Sequence, residues 1–312
     1  MKRKLSFIAG CLILPILLVA QRIDSSVQTI LFLGNSITYA GDYITDIEAC
    51  YTVSHPLTNI KFINLGLPSE TVSGLSEPGH AGGKFPRPDL HERLHRILKA
   101  IQPDIVFTSY GMNDGIYQPF NEDRFQQFKN GMKWLHDTLA ATGARVVVLT
   151  PPVYDELRGG VIGYAAVLDK YTDWLLSCKK SANWEVIDIH SPMIKYIRAH
   201  RAADKKLGID GFALAADGVH PGEAGHWLMA KEILRHLKEK QVANCGDIQT
   251  VMRKRKNGIA VLALVTERQH VMKDAWLSAI GHNRPGMKAG LPLDEASIQS
   301  AAIKKKINDL LK

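Results

Sequence analysis

Apolar residues along the chain fall into short unbroken runs, separated by longer stretches in which they recur every third or fourth place. The first run, Ile30-Leu31-Phe32-Leu33, is closed by Gly34, Asn35 and Ser36. Runs of this length, ended by Gly and polar residues, predict strands buried on both faces of a parallel sheet. Four more strands are predicted, at residues 59–64, 105–108, 146–149 and 184–189, of which 59–64 and 184–189 also carry polar or charged residues. Between them, helical spacing places Leu90, Leu94, Ile97 and Ile101 on one face. It does the same for Phe125, Phe128, Met132, Leu135 and Leu139, in a helix that Gly143 closes. Further helices are predicted over 163–178, over 191–200, and around Trp227, Ala230, Leu234 and Leu237. Residues 37–51 read as mixed loop and helix. Strands alternating with helices predict an α/β protein with a parallel sheet of about five strands and helices on both faces.

Beyond about residue 241 the pattern changes. Residues 251–258 are basic, 259–265 apolar and 266–280 helical, and 282–287 form a turn-rich link to a final amphipathic helix over 295–311. The predicted organisation is a main domain over 22–240 and a helical extension over 241–312 packed on it, since so short a piece does not promise its own core. The start of the chain is different again. Lys2-Arg3-Lys4 precede an almost wholly apolar stretch to Ala20, the pattern of a secretory signal cleaved near Gln21. An uncleaved anchor and a lipidated Cys11, within Ile8-Ala9-Gly10-Cys11, are the alternatives. The protein is therefore expected in the periplasm or outside the cell.

Composition narrows the classes. Among 312 residues, 46% are hydrophobic and 22% charged, as in an ordinary globular protein. The net charge of +8 is partly in the first residues, and its one local run, Arg253-Lys254-Arg255-Lys256, has no interleaved aromatics. Nucleic acid is not the expected partner. Cys178 continues a helix face with Tyr164, Leu168, Tyr171 and Leu175, so it reads as core; whether any of Cys50, Cys178 and Cys245 pair stays open. No spacing suggests a metal site, and no cofactor is implied.

Chemistry concentrates in four places. Ser36 stands at the carboxyl end of the first strand, where ligands bind in open α/β sheets. Asn64-Leu65-Gly66 follows the second strand, and Gly111-Met112-Asn113-Asp114 the third. Asp217-Gly218-Val219-His220 precedes a late helix. A serine hydroxyl needs a base to become a nucleophile, and imidazoles titrate close to working pH. Asp217, three residues before His220, can reach the second ring nitrogen. His226 and His236, on the following helix, read as helix surface.

These four ordered blocks resemble those of the GDSL, or SGNH, hydrolase family, over roughly residues 30–237. The resemblance implies a flavodoxin-like three-layer α/β/α fold. It implies Ser36 as nucleophile, His220 as base and Asp217 as its orienting partner. It gives the oxyanion hole to the N–H of Ser36, the N–H of Gly66 and the side-chain amide of Asn113. Asn35 departs from the family pattern, which usually carries Asp there. Asn35, Tyr110, Asp114 and Tyr117 are expected on the substrate side of the site, although Asn35 and Asp114 could equally brace their turns. The activity implied is a serine esterase acting on a small-molecule or polysaccharide ester, with short acyl groups such as carbohydrate O-acetyl expected. A lysophospholipase or thioesterase of the same family, and a silent carbohydrate-binding protein, are the alternatives.

Overall fold

In the computed structural model, residues 22–208 and 211–312 are described. The predicted signal stretch, with Cys11, lies outside the described residues. Five parallel strands form one sheet in the order β2-β1-β3-β4-β5. They are β1 (Thr29–Gly34), β2 (Lys61–Asn64), β3 (Ile105–Ser109), β4 (Arg145–Leu149) and β5 (Glu185–Ile187). After its first residue β1 is wholly buried, the reason its sequence is continuously apolar. In register, Phe32 sits beside Phe107 and Asn64, and Gly34 beside Ser109.

From β1 the chain steps outward to β2, then returns past β1 to β3, β4 and β5. Right-handed crossovers put the helices of these two directions on opposite faces. After β1 come α1 (Ser36–Ala40) and α2 (Asp42–Ser54), hinged at Gly41 with φ of 80°. The segment read as mixed is thus two helices. Across the sheet lie α3 (Leu94–Ala100), α4 (Glu122–Ala140), the one-turn α5 (Glu156–Gly159) and α6 (Tyr164–Ser181). Asn121 caps α4, its side chain accepting from Arg124 N at 2.9 Å, and Phe128 of α4 stacks on Tyr171 of α6 at 4.3 Å between centroids. After β5 come α7 (His190–Leu207) and α8 (Glu223–His236), and α8 packs on α2 through Tyr43 and His226. The reversal of direction between β1 and β3 makes the carboxyl end of β1 the switch point, where a crevice opens.

The tail forms α9 (Ile248–Arg253), α10 (Gly258–Ile280) and α11 (Leu293–Leu311). The apolar stretch and the helix predicted after it are one 23-residue helix. It covers the outer edge of β2: Gln269 Nε2 donates to Phe62 C=O at 3.0 Å and to Glu48 Oε2 at 2.5 Å, and Arg268 also pairs with Glu48. A covered edge strand cannot template pairing with another chain. Cys50, Cys178 and Cys245 are buried free thiols, so no disulfide joins the described residues. The basic run at 253–256 is exposed, as expected of a solvated turn. Among the described residues no helix is long and apolar enough to cross a membrane.

Candidate active site

Ser36 begins α1 where β1 leaves the sheet. Asn35 caps that helix, its Oδ1 accepting from Ile37 N at 3.0 Å, and its side chain is buried. The amide therefore holds the turn and does not face a substrate. The turn is tight: a Cβ on Gly34 would overlap Thr38 Oγ1 and lie 2.8 Å from Ser109 C=O. Only glycine allows the helix to start so close to the strand. As a first-turn amide, Ser36 N–H has no intrahelical acceptor, so it is available to an anion.

His220 arrives from the loop before α8. Its Nε2 is 2.8 Å from Ser36 Oγ, and its Nδ1 is 2.6 Å from Asp217 Oδ2. Asp217 Oδ1 accepts from Val219 N at 2.9 Å and His220 N at 2.8 Å. Partial burial works to raise the Asp217 pKa, but the ring and the two backbone N–H groups outweigh it and hold the carboxyl at about 2. The loop is fixed from below. Gly218, with φ of 79°, presses against Gly159, and its C=O accepts from Asp155 N at 2.9 Å. His226 is not on the surface as expected. It is buried against Tyr43, and burial lowers its pKa although Asp42 pulls the other way, so a second cation beside His220 is disfavoured.

Asn113 lies in the loop after β3. Its Nδ2 donates to Glu70 C=O at 3.1 Å and its Oδ1 accepts from Tyr117 OH at 3.2 Å, which fixes the amide and leaves one N–H for a further acceptor. Asp114 and Tyr110 belong beneath the site and not in it. Asp114 is fully buried and accepts from Val72 N, Ser73 N, Ser73 Oγ and Gly111 N at 2.8–3.0 Å. Tyr110 is also buried, its OH donating to Glu70 Oε2 at 2.7 Å. Neither is placed to touch a substrate. Tyr117 remains half-buried beside Asn113, with the Arg87 guanidinium 5.3 Å over its ring. Arg87 is held by Glu77 at 2.6 and 2.7 Å, so the loop over residues 76–89, rich in Gly and Pro, is folded over this side of the site.

Asp114→Ala leaves two buried donors, Val72 N and Gly111 N, and two half-buried ones, Ser73 N and Oγ, without their acceptor. At about 1–3 kcal/mol for each unsatisfied group, partly recovered by water, the cost is about 3 kcal/mol or more. Chemical denaturation should show that loss; a stability change under 1 kcal/mol would show that the loop does not depend on this carboxylate.

Gly66 is not free to play the part the resemblance gives it. Its N–H donates to Asn64 Oδ1 at 2.9 Å, and it is buried. Its lack of a side chain serves the approach of α1, since a Cβ would overlap Tyr39 N and lie 2.6 Å from Thr38 C. Three residues on, Ser69 carries φ of 69°, at the third place of the turn from Leu67 to Glu70, which Glu70 N closes onto Leu67 C=O at 3.1 Å. Pro68 before it and a positive φ at Ser69 are the marks of a type II turn. Ser69 is half-buried, and among the described residues its N–H meets no acceptor. The sequence reading passed over Ser69. The signal was Pro68, which sets such a turn, but a serine gives no hint of left-handed backbone.

A parallel five-stranded sheet with a serine, an imidazole and a carboxylate in line at its switch point defines an α/β hydrolytic enzyme. A model of the GDSL-like lipase/acylhydrolase family matches residues 32–228, and the chain belongs to that family of ester-hydrolysing enzymes. No curated protein matches the chain. Among solved structures, a catalytic mutant of Axe2, an acetylxylan esterase from Geobacillus stearothermophilus, is 20% identical over 70% of this chain and 96% of that one, with a TM-score of 0.54. LAE5, an α/β hydrolase enzyme from the metagenome of Lake Arreo, Spain, is 21% identical over 68% and 95%, with a TM-score of 0.52. A gut microbial diltiazem-metabolizing enzyme is 20% identical over 70% of this chain, with a TM-score of 0.54, but this chain spans only 49% of it. At these identities the likeness is one of fold.

Proposed function

We propose that the protein is a serine esterase in which Ser36 is the nucleophile, His220 the base and Asp217 its orienting partner. The observation that carries this reading is the continuous line from Ser36 Oγ to His220 Nε2 and from His220 Nδ1 to Asp217 Oδ2. In the proposed reaction, Ser36 Oγ attacks the ester carbonyl carbon as its proton passes to His220 Nε2. The oxyanion is met by the N–H of Ser36, the N–H of Ser69 and the remaining N–H of Asn113. His220 then returns the proton to the leaving alcohol, giving an acyl-enzyme. Water, deprotonated by the same ring, attacks the acyl carbon, and His220 returns that proton to Ser36 Oγ as the bond to it breaks and the acid leaves. Asp217 stays ionised and stabilises the imidazolium formed in each half.

The expected substrate is a short acyl ester on a carbohydrate. The polar and aromatic loops beside Asn113, with Tyr117 and Arg87, support it, because ring faces and fixed polar groups suit sugars. One of the structural neighbours named above, the acetylxylan esterase, also favours it. A second reading has its own support: Leu157, on the α5 turn that underlies the Asp217–His220 loop, and Ile162, just after it, are 76% and 79% exposed. Apolar residues at that rim suit a longer acyl chain. A chain-length series of p-nitrophenyl esters, run beside an acetylated xylan, separates the two. We expect acetate to be the best ester and acetate to be released from the polymer; preference for octanoate or longer, with no release, sinks the carbohydrate reading.

Export belongs to the same proposal, motivated by the basic and apolar first twenty residues. N-terminal sequencing of the mature protein should begin near Gln21. A chain beginning at Met1 would overturn export, and a lipid on Cys11 would overturn cleavage near Gln21 in favour of a lipid anchor.

A further inference from the structure

Beneath the site lies an ion pair that the reaction itself does not use. Glu70 and Arg93 are both 0% exposed. Arg93 Nε donates to Glu70 Oε1 at 2.6 Å and Arg93 Nη2 to Glu70 Oε2 at 2.7 Å, a two-pronged contact. Arg93 Nη2 also donates to Leu65 C=O at 2.7 Å, and Tyr110 OH donates to Glu70 Oε2 at 2.7 Å. Arg93 stands just before α3, Tyr110 just after β3, and Glu70 in the loop after β2.

What this pair holds is specific. Leu65 and Glu70 are the two ends of the loop that carries Ser69, and the pair clamps both of them. The same loop runs beside the nucleophile's strand, with Leu65 N on Phe32 C=O at 3.0 Å and Leu67 N on Gly34 C=O at 2.9 Å. Glu70 N–H closes the turn that presents Ser69, and Glu70 C=O is the acceptor that orients Asn113 Nδ2. One residue thus ties the backbone donor to the side-chain donor, and its own side chain is fixed by three charge-assisted hydrogen bonds.

We infer that the buried Glu70–Arg93 pair, with Tyr110, is a positioning device that sets the distance and direction of two of the three oxyanion donors, Ser69 N–H and Asn113 Nδ2. The inference rests on the serine-esterase reading and goes beyond it. Stability alone is a poor reason to bury these charges, because well-packed apolar residues of similar size usually stabilise a core as much or more. Preorganised donors do need such a frame, since their effect depends on not having to move as charge develops. Both donors here come from irregular loops, which have no helix or sheet ladder to hold them.

The test is steady-state kinetics on four variants. Replacing both charges together, Glu70→Gln with Arg93→Met, keeps approximate shape and leaves neither ion unpaired. We expect a folded protein with kcat lowered about 30-fold, KM within threefold, and an unchanged midpoint for the acid limb of the pH–rate profile. Asn113→Ala should move the same parameter in the same direction. Tyr110→Phe retains the ion pair and removes one bond to Glu70, so kcat should fall several-fold with KM unchanged. Leu135→Ala, in the core on α4, supplies a comparable loss of stability and should leave kcat within twofold. A folded double variant with kcat within threefold of the parent overturns the inference. If that variant does not fold, Tyr110→Phe decides, and an unchanged kcat there overturns it. A fall in kcat in Leu135→Ala equal to that in the double variant also overturns it, by showing only general loosening. A wild-type protein that hydrolyses no ester removes the serine-esterase reading and the inference together, whereas active wild type with unaffected variants removes the inference alone.

Discussion

Ser36→Ala is expected to lower kcat for ester hydrolysis by about 10⁴-fold or more, as removal of a serine nucleophile does in other hydrolases. Labelling by a fluorophosphonate should disappear with it. The fold should survive, with a stability change within about 0.5 kcal/mol, because the side chain removed is one partly exposed hydroxyl. Its hydrogen bond to His220 Nε2 is solvent-facing, and the cap on α1 comes from Asn35, which the substitution leaves in place. Labelling retained by the alanine variant would place the reactive hydroxyl elsewhere and end the proposed mechanism.

Asp217→Asn should be nearly as damaging to rate, about 10³–10⁴-fold in kcat, with little change in KM. An amide in place of the carboxylate no longer fixes the proton on His220 Nδ1 and no longer opposes the imidazolium charge. The pH behaviour follows from the sign of the Asp217 shift. Its pKa in the fold is about 2, below the ordinary 3.8, so its contribution to stability is full above 3.8 and is lost as pH falls through about 2. A protonated His220 cannot accept the Ser36 proton, so the rate of ester hydrolysis should fall toward acid. A rate that is flat between about pH 5 and 8 would count against a histidine base.

The loops show why part of the site could be read from the sequence and part could not. The roles proposed for Ser36, Asp217 and His220 rest on their side chains, and each stands in a local pattern of its own. A strand ends in Gly34-Asn35-Ser36, and an acid stands three residues before an imidazole. Such patterns are visible because the chemistry restricts residue type at fixed spacing. Backbone donors leave no such trace. Gly66 looked right as a glycine after a strand, yet its bareness serves the passage of α1 and its N–H is taken by Asn64. Ser69 presents an N–H that meets no acceptor among the described residues, through a left-handed φ that its side chain does not announce. Tyr110 and Asp114 flank the Asn113 position in sequence, and the fold buries both under it.

The sequence by itself determined the five strands, their parallel arrangement, most of the helices and the three side chains proposed to perform the chemistry. These depend on apolar periodicity and on short-range spacing, which a linear chain carries. The tertiary structure alone decided which polar groups face the crevice and which brace it. Glu70 and Arg93 are 23 positions apart, and nothing local to either marks a buried pair. The edge of β2 is covered by a helix about 200 residues away, through the bond of Gln269 to Phe62. Whether a charge ends in water or in the core is settled by what the rest of the chain brings to it, because desolvation is offset only when a partner arrives with the right geometry.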